Sequence, residues 1–212
     1  MMRPRPMYTG TIAYPYAGAL YLNITNRCPV RCSYCIKYRW AWRFRGHPLR
    51  LKKEPTVEEI IASLRRRRLR RYREIVFCGY GEPLLRYPVV LRVADWLRSR
   101  CPGLRIRVNT NGLANAALGM DVCPLLKGRV DVVSVSMNAA DEQTYAALHH
   151  TRIRNPVSRI KQFVKSCTRN IPKVVVTCIR HPQIDRKAVR DQARLLKVSY
   201  RSRPYLDEYK NA

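Results

Sequence analysis

Six short β-rich runs, separated by helical patterns, limit what this chain can fold into. The runs are Leu20 to Ile24, Glu74 to Cys78, Leu104 to Val108, Val130 to Met137, Val174 to Ile179 and Val198 to Tyr205. Leu104 to Val108 alternates apolar and polar residues, the period of a strand. Thr56 suits an N-cap, with Glu58 and Glu59 in the first turn, where the helix dipole favours acids. That helix is expected to run through Ile60, Ile61 and Leu64 into an arginine-rich end, Arg65 to Arg71, spread over every helix face. Further helices are expected over Val89 to Leu97, over about Ala114 to Leu126 with a break near Gly119, over Asp141 to Leu148, over Val157 to Cys167 and over Arg186 to Leu196. Strands alternating with helices make parallel βαβ units with right-handed crossovers. The fold class is therefore α/β: a partial, open (β/α)6 TIM-like barrel of parallel strands, not the closed eight-stranded form. A chain of 212 residues supports one sizeable core and is marginal for two, so residues 1–212 are expected to form one domain. In such sheets the chemistry sits at the C-terminal ends of the strands.

The first such end carries Cys28-Pro29-Val30-Arg31-Cys32-Ser33-Tyr34-Cys35. Thiolates suit iron–sulfur clusters, and this spacing lets one loop wrap a cube of iron and sulfide. Three ligands on four irons leave one iron open to chelate a further molecule. A structural zinc site wants four closed ligands; His47 is the one nearby candidate for a fourth. Of eight cysteines, the other five, Cys78, Cys101, Cys123, Cys167 and Cys178, are isolated and read mostly as small buried apolar residues.

The next three strands also end in unusual polar motifs. Gly79-Tyr80-Gly81-Glu82-Pro83 follows the second strand, and its glycines let backbone approach a ligand closely. Asn109-Thr110-Asn111-Gly112 ends the third strand, where Asn111-Gly112 could also simply make a turn. Ser134 to Ala139 ends the fourth, with Ser136 and Asn138 on one side of a continuing strand. Thr177, Arg180 and His181 near the end of the fifth are weaker candidates.

The cysteine spacing after a first strand resembles the radical S-adenosylmethionine (SAM) superfamily, and the motifs from Leu20 to Tyr205 extend the resemblance. The resemblance implies a radical SAM core with Cys28, Cys32 and Cys35 on a [4Fe–4S] cluster. Its open iron would bind the amino and carboxylate groups of S-adenosyl-L-methionine, and an electron from the reduced cluster would cleave a carbon–sulfur bond to yield a 5′-deoxyadenosyl radical. It further implies that the Gly79, Tyr80, Gly81 and Glu82 segment contacts the methionyl amino group, that Tyr34, Asn109 and Asn111 reach cofactor or substrate, and that Ser136 and Asn138 contact the ribose or carboxylate. An external electron donor of flavodoxin or ferredoxin type goes with this chemistry. The phrases Leu20 to Cys28, Gly79 to Pro83 and Arg107 to Asn115 look like the TatD-associated radical SAM proteins, named for gene association with TatD-type nucleases. No catalytic acid, base or radical relay is legible.

Composition enters through charge. The formal net charge is +28, and arginine outnumbers lysine roughly threefold. Such an excess reads either as a footprint for nucleic acid or as an arginine-favouring composition. Trp40-Ala41-Trp42-Arg43-Phe44-Arg45 reads first as a hydrophobic cover with snorkelling arginines, second as a base-stacking surface. A nucleotide or nucleic-acid substrate is the milder inference. No apolar run approaches the roughly 20 residues of a membrane span, and Met1 to Gly10 lacks a signal-peptide stretch, so a cytoplasmic location is expected. Two further readings stay open: an iron–sulfur electron carrier or redox sensor, and a basic nucleic-acid-binding module whose cysteines hold a structural metal.

Overall fold

Each parallel neighbour in the central sheet is also that sheet's next strand along the sequence. The computed structural model describes residues 10–205; the export-signal reading therefore falls, up to residue 9, outside the described residues. Strands β1 (Ala13–Tyr16) and β2 (Ala19–Leu22) form an antiparallel hairpin. Its turn, Ala17-Gly18, takes φ of 47° and 74°, the left-handed pair that matches strand twist in a two-residue hairpin. From β2 the sheet continues through β3 (Glu74–Phe77), β4 (Arg105–Thr110), β5 (Val132–Ser136), β6 (Lys173–Ile179) and β7 (Ser199–Arg203), every pairing parallel. Among the described residues β1 and β7 each have one neighbour, so the barrel is open.

All six expected strands are present within a few residues of their expected bounds. The edge strand β1 was not expected: Pro15 interrupts its short run, and proline within a sheet is confined to edges. The helices are α1 (Ile36–Arg39), α2 (Val57–Arg65), α3 (Tyr87–Arg100), α4 (Ala114–Leu118), α5 (Glu142–Leu148), α6 (Pro156–Asn170) and α7 (Arg186–Leu195). Thr56 does cap α2, and its hydroxyl and the Glu59 carboxylate close a capping box, worth about 1 kcal/mol. The break near Gly119 is real: α4 ends there at φ 68°. One expectation is corrected. The arginine run does not extend α2; the helix stops at Arg65, and Arg67 turns back to donate to the Ala13 carbonyl (2.8 Å).

Strand alternation then separates two environments. Leu20, Leu22, Ile75, Phe77, Ile106, Val108, Val133 and Val135 form one buried core with Ile60, Leu64, Val90, Leu97 and Ile160 of the surrounding helices. Each such side chain contributes roughly 1.5–3 kcal/mol of burial. The opposite face carries Tyr21, Glu74, Arg107, Asn109, Ser134, Ser136, Thr177, Arg201 and Arg203, which line a cavity of about 600 Å³. The helices therefore hold the sheet through one face and leave the concave face polar and accessible. No helix among the described residues is long and apolar enough to cross a membrane.

Candidate active site

The cysteine loop leaves β2 and folds over this cavity. Cys28, Cys32 and Cys35 all line it as free thiols. Cys35 is the N-cap of α1, and its amide donates to the Cys32 carbonyl (3.1 Å). A two-residue antiparallel ladder pairs Arg31 with His150 and Cys32 with His149, and the Ser33 amide donates to Leu148 (3.0 Å). These bonds fix the loop to the chain that follows α5. Burial raises the thiol pKa of Cys28, and burial reinforced by Cys35 and Cys28 pushes Cys32 up to about 12. A bound metal would therefore have to displace protons from both. Among the described residues no group of three His, Cys, Asp or Glu is close enough to hold a single ion. His47 sits elsewhere, paired with Phe44 in a separate ladder. Three soft donors spread around one cavity suit the corners of an iron–sulfur cube better than a zinc ion, which needs converging ligands.

Tyr34, inside the motif, anchors the loop to the sheet. Its hydroxyl accepts from Asn138 Nδ2 (2.8 Å) and lies 2.5 Å from His149 Nε2. His149 Nδ1 lies 3.1 Å from the Tyr145 carbonyl. A carbonyl can only accept, so Nδ1 carries the proton and Nε2 accepts from Tyr34. Burial lowers the His149 pKa to about 4, keeping that neutral tautomer. Asn138 Oδ1 in turn accepts from the Ile179 amide (3.1 Å), and Tyr205 donates to the Tyr34 carbonyl (3.0 Å). The ends of β5, β6 and β7 thus meet at one tyrosine. Burial raises the Tyr34 pKa well above the usual phenol range, so it stays protonated.

The glycine segment and the asparagine segment are clamped together by Glu82. A Cβ at Gly81 would lie 2.4 Å from the Thr25 carbonyl oxygen and 2.6 Å from that of Arg27, so backbone here passes too close for any other residue. One at Gly79 would lie 2.0 Å from Asn23 Oδ1. The Glu82 amide donates to the Arg27 carbonyl (2.8 Å), and its buried carboxylate accepts from the amides of Leu84 (3.1 Å) and Asn111 (2.7 Å). Burial pushes its pKa up to about 7 against those amide bonds. Both carboxylate oxygens are therefore engaged with backbone. Asn111 accepts from Leu113 (2.9 Å) and points Nδ2 at Cys28 Sγ (3.5 Å). Asn109 lines the cavity and accepts from Arg107 (2.9 Å), which grips Glu74 through two bonds (2.7 and 3.2 Å).

Every residue singled out for the cofactor, Tyr34, Gly79, Tyr80, Gly81, Glu82, Asn109, Asn111, Ser136 and Asn138, lines this one cavity with the three cysteines. Thr177 lines it too, whereas Arg180 is exposed. His181 packs beside the Tyr34 and Tyr205 rings, 5.5 and 5.2 Å between centroids. Tyr80 also belongs to the cover that the aromatic segment makes: Phe44, Tyr14, Leu49 and Tyr80 are buried together, with Trp40 and Trp42 packed against them. Tyr80 donates to the Arg43 carbonyl (2.7 Å), while Arg43 and Arg45 are exposed. The hydrophobic-cover reading of the segment fits this arrangement. Sequence reasoning missed His149, Tyr145, Arg203 and Tyr205. A histidine pair after α5 and an arginine-rich final strand carry no motif, and only folding brings them to the loop.

The family model described as the radical SAM superfamily matches residues 22–196. A GTP 3′,8-cyclase of Pseudomonas savastanoi pv. phaseolicola is 31% identical over 133 residues, covering 62% of this chain and 36% of that protein. The GTP 3′,8-cyclase 2 of Mycobacterium tuberculosis is 32% identical over 132 residues, 62% of this chain and 34% of its own. Molybdenum cofactor biosynthesis protein 1 of Bos taurus is 31% identical over 150 residues, 65% of this chain and 22% of its own. The chain thus spans about a third or less of the length of these relatives. Among solved structures, TYW1 with a lysine–pyruvate adduct bound superposes with a TM-score of 0.58 at 12% identity, covering 88% of this chain and 65% of that one, a likeness of fold.

Proposed function

The chain belongs to the radical SAM superfamily, and we propose that Cys28, Cys32 and Cys35 are the three protein ligands of its [4Fe–4S] cluster. The family's enzymes use that cluster together with S-adenosyl-L-methionine. When bound, the pair supplies an electron to the cofactor's carbon–sulfur bond and so a 5′-deoxyadenosyl radical. The observation that carries the assignment is convergence: loops from the ends of β2 to β7 put three free cysteines and nine polar or glycine positions around one cavity. The residues present fit the group, because the donors are three free thiols that line one cavity together with amide and hydroxyl side chains.

The chain's own residues divide the work. Asn111 holds Cys28 Sγ through its amide, and donors to sulfur tune a cluster's potential. Glu82 ties the cysteine-loop root at Arg27 to Asn111, so the two loops keep one spacing. Tyr34 fixes the loop's far end through Asn138 and His149. Gly79 and Tyr80 offer backbone at the cavity wall, Ser136 and Asn109 offer a hydroxyl and an amide to a nucleoside, and Asn138 lines the same wall while holding Tyr34. The Trp40–Phe44 cover excludes water on the side of Tyr80, which protects a reactive radical.

A nucleotide or nucleic-acid substrate is favoured by the +28 charge and by the names of the GTP 3′,8-cyclase relatives. The finer likeness to TatD-associated radical SAM proteins rests on the three sequence phrases given above. Residues 20–205 are read as one functional unit, reduced by an external flavodoxin- or ferredoxin-type donor in the cytoplasm. Anaerobic reconstitution tests the reading: about four irons per chain are expected, and dithionite with SAM should release 5′-deoxyadenosine. A loaded cluster that never cleaves SAM leaves the electron-carrier reading in its place.

A further inference from the structure

Arg203 ends β7 in the cavity wall, and among the described residues no carboxylate pairs with it. Its Nη2 donates to Ser136 Oγ (3.1 Å), and its Nε is buried without a partner. A guanidinium has five N–H donors, and among the described residues Ser136 accepts the one bond that Arg203 makes from its side chain. Burial is the largest influence on its charge and lowers its pKa, yet an arginine stays protonated at neutral pH. Arg201 lies two residues back on the same face of β7 and lines the same cavity. The strand registers set Arg201 beside Thr177, and Thr177 beside Ser136.

The acids in the cavity are committed elsewhere. Glu74 holds Arg107 through two bonds, and Glu82 accepts from two backbone amides. Arg203 thus holds a buried guanidinium nitrogen without a partner, an arrangement that is costly unless an anion completes it, and the exposed Arg201 adds a second positive charge at the same cavity. SAM matches the pair less well than a phosphate does: its sulfonium and ammonium outweigh its single carboxylate, so it is a net cation, whereas a phosphate brings only negative charge.

We propose that Arg203, with Arg201 and Ser136, forms an oxyanion subsite that holds a phosphate or polyphosphate group of the substrate. The planar fork of arginine matches phosphate oxygens in a bidentate way, and the Ser136 hydroxyl adds a neutral donor. The subsite rests on the reading of this cavity as the active site, and it narrows the substrate to a phosphorylated compound.

The test is calorimetric binding of inorganic pyrophosphate and, separately, of SAM to anaerobically reconstituted protein. Wild type should bind pyrophosphate saturably. Arg203→Met and Arg201→Met should each weaken it about tenfold or more, the scale of one charge-assisted contact. Arg190→Gln, on α7 away from the cavity, controls for the basic surface and should change it less than about threefold. SAM affinity should stay within about threefold throughout. Arg203→Lys, which keeps the charge and loses the fork, should fall between wild type and Arg203→Met, and it decides the matter if the methionine variant does not fold. Absent saturable binding, or equal loss in Arg190→Gln and the cavity variants, overturns the proposal. So does a loss confined to SAM, which would assign the guanidinium to the cofactor. Iron content and 5′-deoxyadenosine release in the same samples report on the enzymatic reading independently: they can fail while the pyrophosphate result stands, and the reverse.

Discussion

The Tyr34 hydroxyl donates to His149 Nε2 across 2.5 Å, joining the cysteine loop to a residue 115 positions later. The bond is one link in a directed chain from Asn138 through Tyr34 and His149 to the Tyr145 carbonyl. Every polar atom in that chain is buried and satisfied, so the loop's position depends on several strands at once.

Tyr34→Phe removes one oxygen and leaves both His149 Nε2 and Asn138 Nδ2 without their partner. A buried group left unsatisfied costs roughly 1–3 kcal/mol. For a chain of this length that lowers the melting temperature by several degrees, at about 2–4 °C per kcal/mol. Thermal unfolding of the apo-protein checks it; a melting temperature within a degree of wild type would show that the bond contributes nothing.

Alanine at Cys28, Cys32 or Cys35 should each abolish stable cluster loading, because a cube already lacking one protein ligand would be left with two. Iron per chain and the absorbance shoulder near ~400 nm should fall to background in all three. Cys101→Ala, in the half-buried turn after α3, should load iron as wild type does. Full loading in any one of the triple set would remove that cysteine from the ligand list.

Much of this was legible before folding. The central parallel strands bury one face wholly and much of the other, and they announce themselves as apolar runs such as Val174 to Ile179. Glycine and cysteine motifs are legible because the backbone approach at Gly81 or the loop around Cys32 restricts residue type locally. What could not be read is what the fold assembles from afar. Asn138 meets Tyr34 across 104 positions, and Tyr205 meets it across 171; Tyr34 and Asn138 stand in legible motifs, but their pairing does not, and Tyr205 has no local signature. Arg203 looked like one more arginine in a basic chain, and only the cavity distinguishes it. The polar concave face was likewise half-hidden, since Arg105 and Arg107 alternate identically in sequence while one is exposed and the other buried.

Gly81→Ala should be far more damaging than Gly103→Ala. The added Cβ at position 81 would meet two backbone carbonyls at 2.4 and 2.6 Å, and neither can swing aside without moving the root of the cysteine loop. At position 103 it meets nothing within 4 Å. Overpacking costs roughly 1–3 kcal/mol or more, and here the displaced atoms lead directly into Cys28. Urea midpoints and SAM affinity should both drop for Gly81→Ala and hold for Gly103→Ala; equal effects would contradict the close approach.

Glu82 gives the apo-protein a specific pH dependence. Its carboxyl pKa is raised by burial to about 7, against an ordinary value of 4.5. Between those values the native state keeps a proton that the unfolded chain has released. Stability attributable to this group is therefore complete below about pH 4.5 and falls as pH rises towards 7, by roughly 3 kcal/mol in total. Glu82→Gln cannot ionise, so denaturant titrations at pH 5 and pH 7.5 should differ less for the variant than for wild type. An identical difference in both proteins would mean that the amide bonds from Leu84 and Asn111 hold the carboxylate ionised.

The pair at the cavity floor predicts a reversal. Arg107 is 10% exposed and Glu74 20%, and they share two hydrogen bonds. Glu74→Gln deletes the negative charge and strands the guanidinium among Tyr21, Asn109 and apolar neighbours. Breaking one side of a buried pair costs about 3–5 kcal/mol at full burial, so roughly 3 kcal/mol is expected at this partial exposure. Arg107→Met alone strands the carboxylate in the same way. Replacing both together removes the charge that each single change leaves uncompensated, so the double variant should be more stable than either single one. The measurement is a double-mutant cycle by urea unfolding. Additive losses would mean that water reaches the pair and screens it. A recovered double variant would mean that this end of the cavity is dry, and that Arg107, unlike Arg203, is already neutralised by the protein before any ligand arrives.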